Sequence, residues 1–536
     1  MLLKNIESFI NKLLESKYKY LLFFLLLIIL LFIFYEFFLF LSYSIINNSD
    51  NASILLEAYS FTKGNILLHG WSLSKDNFYF TDLPFYVLFT IILGKNHLIM
   101  HYAPAFIYSL IMVSSLYLVS VNFDIRKKLI SIPLILVLIG MPSIFLFGIA
   151  LMGPIHVGTV LFLIISIIFL DRFYKDKQKY ISLFIFFILL SLSIFSDPMA
   201  IYVGLLPILF VSIINLIINK NYYKDGFIIL STLLSYIFSK ILYFIISFFH
   251  GFVMINGEKT SLVFAHLSEI GHNAYLAFYF ISKYMSSYIY GTTLNTDTGL
   301  NNLLHFFLLL SFFIGIYIIF KKYKEYFSND IILSITGVCA LFNILAFTFS
   351  YIPEANSIVF NQYSSRYFIP FFFFAAIFIS RFLSYYIQNI KNYGIYILVV
   401  FTLFLGLYYH KIIRIKTIDN TPSEQVSIWL EQHKLDYGYG SFSSSNIITA
   451  NSNGRIKIRP IEISNNNNKI IPLNWLSDSS WYKNNKNKYI FYIYNDFYTG
   501  GINKDLLIRD FGKYSQFYQV GRYGIYVWKY NLTKFV

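Results

Sequence analysis

Six ionisable residues, Asp50, Glu57, His156, Asp197, Lys240 and Arg366, stand beside or inside long apolar runs. Such groups are costly at membrane depth and are kept there mostly for function. Ser49-Asp50-Asn51-Ala52 follows the first apolar run directly. An acid at that level can take a proton from an acceptor hydroxyl or amine; Asp is equally a favoured N-cap, and this one starts a helix. In that helix Ile54, Leu55, Ala58 and Phe61 form one stripe, and Asp50, Ser53, Glu57 and Ser60 the opposite one. The pattern predicts a helix in the membrane interface, its polar side turned to water or to a cavity. Glu57 then reads as solvated surface or as a cavity-lining group. Asp82, in Thr81-Asp82-Leu83-Pro84, reads as the cap of the next helix. His156, in Gly153-Pro154-Ile155-His156, suits a base or phosphate donor, or a hydrogen-bonded interface residue. Asp197, in Ser196-Asp197-Pro198, faces a cavity or caps a helix with Pro in its first turn.

Arg366, in Arg366-Tyr367-Phe368-Ile369-Pro370, is the one Arg or Lys of its connection. Its planar fork can grip a phosphate through two hydrogen bonds; the alternative is an anchor that snorkels to the headgroups. Lys240 lies inside an apolar run, where it pairs with a phosphate or an acid, or snorkels. HExxH and CxxC are absent, which argues against zinc. There is no P-loop and no dinucleotide fingerprint, so nucleotide-driven chemistry has no support.

These residues need a frame, and the composition supplies it. The 536 residues are 57% hydrophobic and 13% charged, against about 25% charged in soluble domains. With one cysteine, Cys339, a disulfide scaffold is excluded. The apolar residues fall into about eleven runs long enough to span a bilayer, near 20–43, 97–121, 129–150, 155–170, 181–196, 199–218, 226–248, 301–320, 331–350, 367–386 and 393–409. The net charge of +15 comes from Lys and Arg concentrated in alternate connections, so it signals topology and not nucleic acid. One set includes Lys4, Lys12 and Lys17, then Arg126–Lys128, Lys175 and Lys177, Lys220, Lys321 and Lys391. The positive-inside rule places that set, and the N-terminus, in the cytoplasm. Segments 44–96, 249–300, 351–366 and 410–536 are then external.

The expected fold is a polytopic α-helical membrane protein, with a membrane domain over 1–409 and an extracytoplasmic α/β domain over 410–536. Thr421-Pro422-Ser423-Glu424 reads as a capping box opening a helix to about Lys434. Arg455–Ile463, Tyr489–Tyr494 and Gly524–Tyr530 read as strands, and Leu506–Asp510 as part of a short helix. Tyr437, Tyr439, Trp475, Trp481, Tyr482 and Trp528 fill the core of that domain or stack on sugars.

The order of spanning helix, Asp at the outer face, amphipathic helix ending in Gly64-Asn65, then Trp71, Pro84 and Gly94 resembles the GT-C superfamily of membrane glycosyltransferases. The layout is similar to the protein O-mannosyltransferases and the lipid A aminoarabinose transferases. Asn65-Ile66-Leu67-Leu68-His69-Gly70-Trp71 and Tyr437-Gly438-Tyr439-Gly440 look like a bacterial branch of glycosyltransferase-like proteins. The resemblance implies a transferase in the cytoplasmic membrane that uses a polyprenyl-phosphate sugar, working at the outer face on an envelope glycan, lipid or protein. It places Asp50 at the family's first-loop aspartate, a catalytic base or a group that orients metal and acceptor. Displacement of the lipid phosphate would invert the anomeric carbon. Many members carry a second acid in the next external loop, whereas this chain has His156 there. A divalent metal therefore stays open, without paired carboxylates to support it. Two other readings are a glycan polymerase or ligase of another fold, with its basic residues on a late external loop, and a non-catalytic transporter or assembly scaffold, which buried charge pairs would favour.

Overall fold

A computed structural model describes residues 19–175, 179–219, 222–255, 264–351, 364–388, 390, 393–464, 468–482, 488–496 and 502–536. Lys4, Lys12, Lys17, Lys177, Lys220 and Lys391 of the basic set, and part of the loop 465–468, lie outside the described residues.

Among the described residues the membrane domain opens with α1 (Lys19–Ser42), followed by α2 (Ser49–Phe61), the short strand β1 (Trp71–Leu73) and α3 (Leu83–Leu93). Then come α4 (Ile99–Ser120), α5 (Ile125–Leu138), α6 (Ile144–Ala150), α7 (Val157–Tyr174) and α8 (Lys179–Ser196). A π-helical turn, Ile201–Leu205, leads into α9 (Leu206–Asn219), then α10 (Tyr222–Phe248), β2 (Val253–Met254), α11 (Leu267–Tyr284) and α12 (Asp297–Lys321). The bundle closes with α13 (Tyr323–Asn329), α14 (Ile331–Phe349), a 3-10 turn Ser365–Phe368, α15 (Ile369–Ile387) and α16 (Tyr393–Ile412).

Among the described residues ten helices are long and apolar enough to cross a membrane. In hydrocarbon every backbone N–H and C=O must find a partner within the segment, and helices do this. The expected span 129–150 departs from that form. It is split into α5 and α6 around Gly140-Met141-Pro142, where Pro142 offers no N–H and disfavours helix at the residue before it. Ser143 then caps α6 by accepting from Leu146 N at 3.0 Å.

The tail forms a sheet domain from α17 (Pro422–Gln432), β3 (Tyr437–Gly440), α18 (Phe442–Asn451), β4 (Lys457–Ile463), β5 (Ile470–Pro472), β6 (Ser477–Asp478), β7 (Phe491–Asn495), α19 (Lys504–Phe511), β8 (Gln516–Val520) and β9 (Tyr523–Val527). Six strands run in the order β5-β4-β3-β7-β9-β8. The capping box of α17 is present: Glu424 N donates to Thr421 Oγ1, and Thr421 N donates to Glu424 Oε2. One sheet face is covered by an aromatic cluster of Tyr439, Tyr489, Tyr492, Phe511 and Trp528.

The other side merges with the first connection. Ala52, Leu55 and Tyr59 of α2 share one apolar cluster with Val426, Ile448, Ile458 and Phe491 of the tail. A small sheet stitches the same parts together, with β1 parallel to β2 and antiparallel to β6. The helix α2 is therefore not an interfacial helix with a wet polar face. Its Ser53 accepts from Asn446 Nδ2 at 2.8 Å, and Glu57, expected at the surface, is buried.

Candidate active site

Local capping fixes Asp50. The N-cap of α2 is Asn48, which forms a reciprocal box with Asn51 through two 3.1 Å bonds. Asp50, one residue inside the helix, is relieved of the capping role the sequence offered it. Asn51 Nδ2 also donates to Met152 O at 2.7 Å and to Gly153 O, which locks the start of α2 to the second connection. Asp50 is accessible to water, yet protein surrounds it on most sides. Burial pushes its carboxyl above the ordinary value; the Arg366 guanidinium pulls it back, and Asp76 pushes it further up.

Arg366 sits on the 3-10 turn before α15. Tyr284 Oη pins that turn by donating to Ser365 O at 2.9 Å, and Asn343 Nδ2 donates to Tyr367 O at 3.0 Å. Among the described residues the guanidinium makes one hydrogen bond, Nη2 to Tyr367 Oη at 3.3 Å. Its Nε is buried without a partner. Asp50 and Asp76 both act on it electrostatically.

Beside Tyr367 stands a buried pair. His156 Nδ1 lies 2.7 Å from Asp197 Oδ2, and both residues are almost wholly buried. Thr159 Oγ1 donates to the same oxygen at 2.8 Å, and Met199 N donates to Asp197 Oδ1 at 2.9 Å. Asp197 thus performs the local turn the sequence suggested and also holds the histidine. His156 itself has φ +55°, a strained conformation for a residue with a side chain. Its ring packs at 5.3 Å from that of Tyr367 and 5.8 Å from that of Phe78. Asp82 occupies the cap position of α3 but makes no capping bond. It is turned inward, accepts from Thr81 Oγ1 at 2.9 Å, and is pushed up to about 7, chiefly by burial. Gly158 leaves the room: a side chain there would collide with Asp82 Oδ2.

The structure thus brings Asp50, Arg366, His156 and Asp197 to one end of the bundle. It does not bring Lys240. That ammonium lies over the Tyr236 ring at 5.2 Å on an exposed face of α10, and none of the described contacts joins it to the others. Glu57 is buried on α2; among the described residues its Oε2 has no partner, and burial holds its carboxyl well above the ordinary value. Two contributors escaped the sequence reading. Asp76 lies in the polar turn after β1, and Tyr202 in the π-helical turn after Asp197, with Asp197, Tyr367 and Asp76 acting on it. Neither carries a local signal. A divalent cation does not suit this donor set, because Arg366 brings its own positive charge to the two carboxylates. Among the described residues no group of three or more His, Cys, Asp or Glu is placed to hold a metal.

No protein-family model and no curated protein matches the sequence. The fold does match a solved structure, ArnT from Cupriavidus metallidurans bound to undecaprenyl phosphate. The TM-score is 0.52 at 10% identity, over 95% of this chain and 98% of that one. The chain therefore has the GT-C fold, sheet domain included.

Proposed function

We propose that the chain transfers a sugar from a polyprenyl-phosphate carrier to a cell-envelope acceptor at the outer face of the cytoplasmic membrane. The observation that carries this reading is Arg366, a guanidinium whose Nε has no partner among the described residues, in electrostatic interaction with the accessible, recessed carboxylate of Asp50. A free donor on a positive fork suits an anion such as a phosphate. The basic connections at the opposite end of the bundle support the orientation, with the sheet domain outside. The neighbour's bound undecaprenyl phosphate supports the donor class.

In this reading the acceptor oxygen or nitrogen attacks the anomeric carbon, and Asp50 takes its proton. The bond from that carbon to the phosphate oxygen breaks, and its electron pair leaves with the polyprenyl phosphate. Arg366 stabilises the charge gathering on that phosphate. The pair His156–Asp197, packed on Tyr367, fixes the wall beside the arginine. A carboxyl raised by burial suits a base, because proton transfer is most effective when the pKa approaches the working pH.

The test replaces Asp50 with Asn in the full chain. Glycan transfer should fall by about 10²–10⁴-fold, the contribution of a positioned base, while binding of undecaprenyl phosphate persists. Retained transfer at normal expression would remove the mechanism. The GT-C fold leaves no footing for a polymerase of another architecture. The scaffold reading gains one fact, a buried Arg381–Asp330 pair the sequence did not reveal, but it lies at the far end of the bundle from Asp50.

A further inference from the structure

A second feature lies away from that site. An apolar groove of about 370 Å³ runs between α5, α12, α15 and α16, lined by residues including Pro133, Val137, Leu308, Leu383, Val400 and Phe404. Most of α16 faces outward from the bundle, so the groove lies where bilayer lipid would contact the protein. From Val400, on its wall, to Lys411 near the end of the helix, α16 rises roughly 16 Å, about the reach of an acyl chain.

At the Phe404 end the lining changes character. The His305 ring meets the Phe404 ring edge-on at 4.8 Å. Asn301, His305 and Leu308 follow one another at i, i+4 and i+7, so Asn301 continues the groove-facing side of α12. Its Nδ2 is buried with no acceptor among the described residues, and a buried donor left bare costs about 1–3 kcal/mol. On α16, Val400, Phe404 and Lys411 share a face in the same way. The half-buried Lys411 ammonium acts electrostatically on His305 and has no carboxylate partner among the described residues. Arg414 and Lys416 follow, against one acid, Asp419. This cluster sits on the sheet-domain end, where the charge bias of the other connections does not call for it.

We propose that the groove is a binding site for an anionic phospholipid of the surrounding bilayer. One acyl chain lies against Val400 and Phe404, and the phosphate sits at Lys411 and Asn301. The cation and the bare amide donor answer the phosphate; the wholly apolar lining answers the chain.

Native mass spectrometry of the full chain in detergent tests this, with dioleoyl phosphatidylglycerol and dioleoyl phosphatidylcholine offered at equal concentration. The expected result is one retained phosphatidylglycerol per chain, favoured at least fivefold. Lys411→Gln should cut that preference at least threefold, and Val400→Trp, which fills the groove, should remove retention of both lipids. Equal retention of the two lipids by the native chain overturns the proposal. So does an undiminished preference in Lys411→Gln, a substitution at a half-exposed position that the fold should tolerate. Displacement of phosphatidylglycerol by equimolar undecaprenyl phosphate also overturns it, because the groove would then belong to the carrier.

Discussion

Two arginines fifteen positions apart, one on the turn leading into α15 and one near its far end, show opposite designs. Arg381 is finished. Its Nε and Nη2 donate to Asp330 Oδ2 at 3.0 and 2.6 Å, its Nη1 to Leu118 O and Val121 O, and its guanidinium covers the Phe123 ring at 4.1 Å. Tyr385 Oη donates to the same Asp330 oxygen at 2.8 Å. Arg366 is unfinished: among the described residues it has one bond, to Tyr367, a bare Nε, and two carboxylates near enough to act on it. A charge closed on every side holds helices together, whereas a charge left open is poised for something that comes and goes.

Substitutions can break or sharpen that contrast. Arg381→Gln should have the largest effect, because it strands Asp330 in the protein interior. A loss of about 3–5 kcal/mol is expected, read as a lower melting temperature of the purified protein. Arg366→Gln should leave melting nearly unchanged and lower transfer by about 10²–10³-fold, the usual scale for one lost donor to transition-state charge. If Arg366→Gln melts as low as Arg381→Gln, the contrast collapses.

The buried acids give smaller, signed effects. Glu57 holds its proton in the folded chain well above its ordinary 4.5. The folded state therefore binds more protons than the unfolded one, and stability falls as pH climbs through the folded value. Glu57→Leu should melt higher than the native protein at pH 8, by the equivalent of about 1–3 kcal/mol, with the gap narrowing at pH 4. Asp82, pushed up to about 7, contributes with the same sign through neutrality. The smallest effect is a displaced pH profile of transfer. Asp76→Asn removes a charge that raises the Asp50 carboxyl, so the acid limb should move to lower pH. The residual activity of Arg366→Gln should show the reverse displacement.

The spans and the sheet domain were legible because apolar length and alternation are local signals. The break in the third span was half-written in Gly140-Met141-Pro142. Asp50 and Arg366 could be named from their places beside apolar runs, and His156 and Asp197 from the turns they occupy. Asp76 could not, because its importance comes from β1 placing it near residues almost three hundred positions away. Glu57 misled for the related reason that helical periodicity reports a polar stripe without saying what covers it. Here α18, supplied from far along the sequence, packs on that stripe at Ser53. The strand Tyr437–Gly440 was noticed as a motif, and only the sheet shows it to be the central rail between β4 and β7.

The seam between α2 and the tail also sets a clock. Ser53 and Asn446, joined by a hydrogen bond, are separated by 393 positions. At about 5–20 residues per second, a ribosome needs roughly 20–80 s to deliver the second after the first. Throughout that interval the segment bearing Asp50 is already made and leans on its neighbours in the membrane domain, Met152 and Gly153 among them. The cover of α2 thus comes from a stretch of the polypeptide made long after α2 itself.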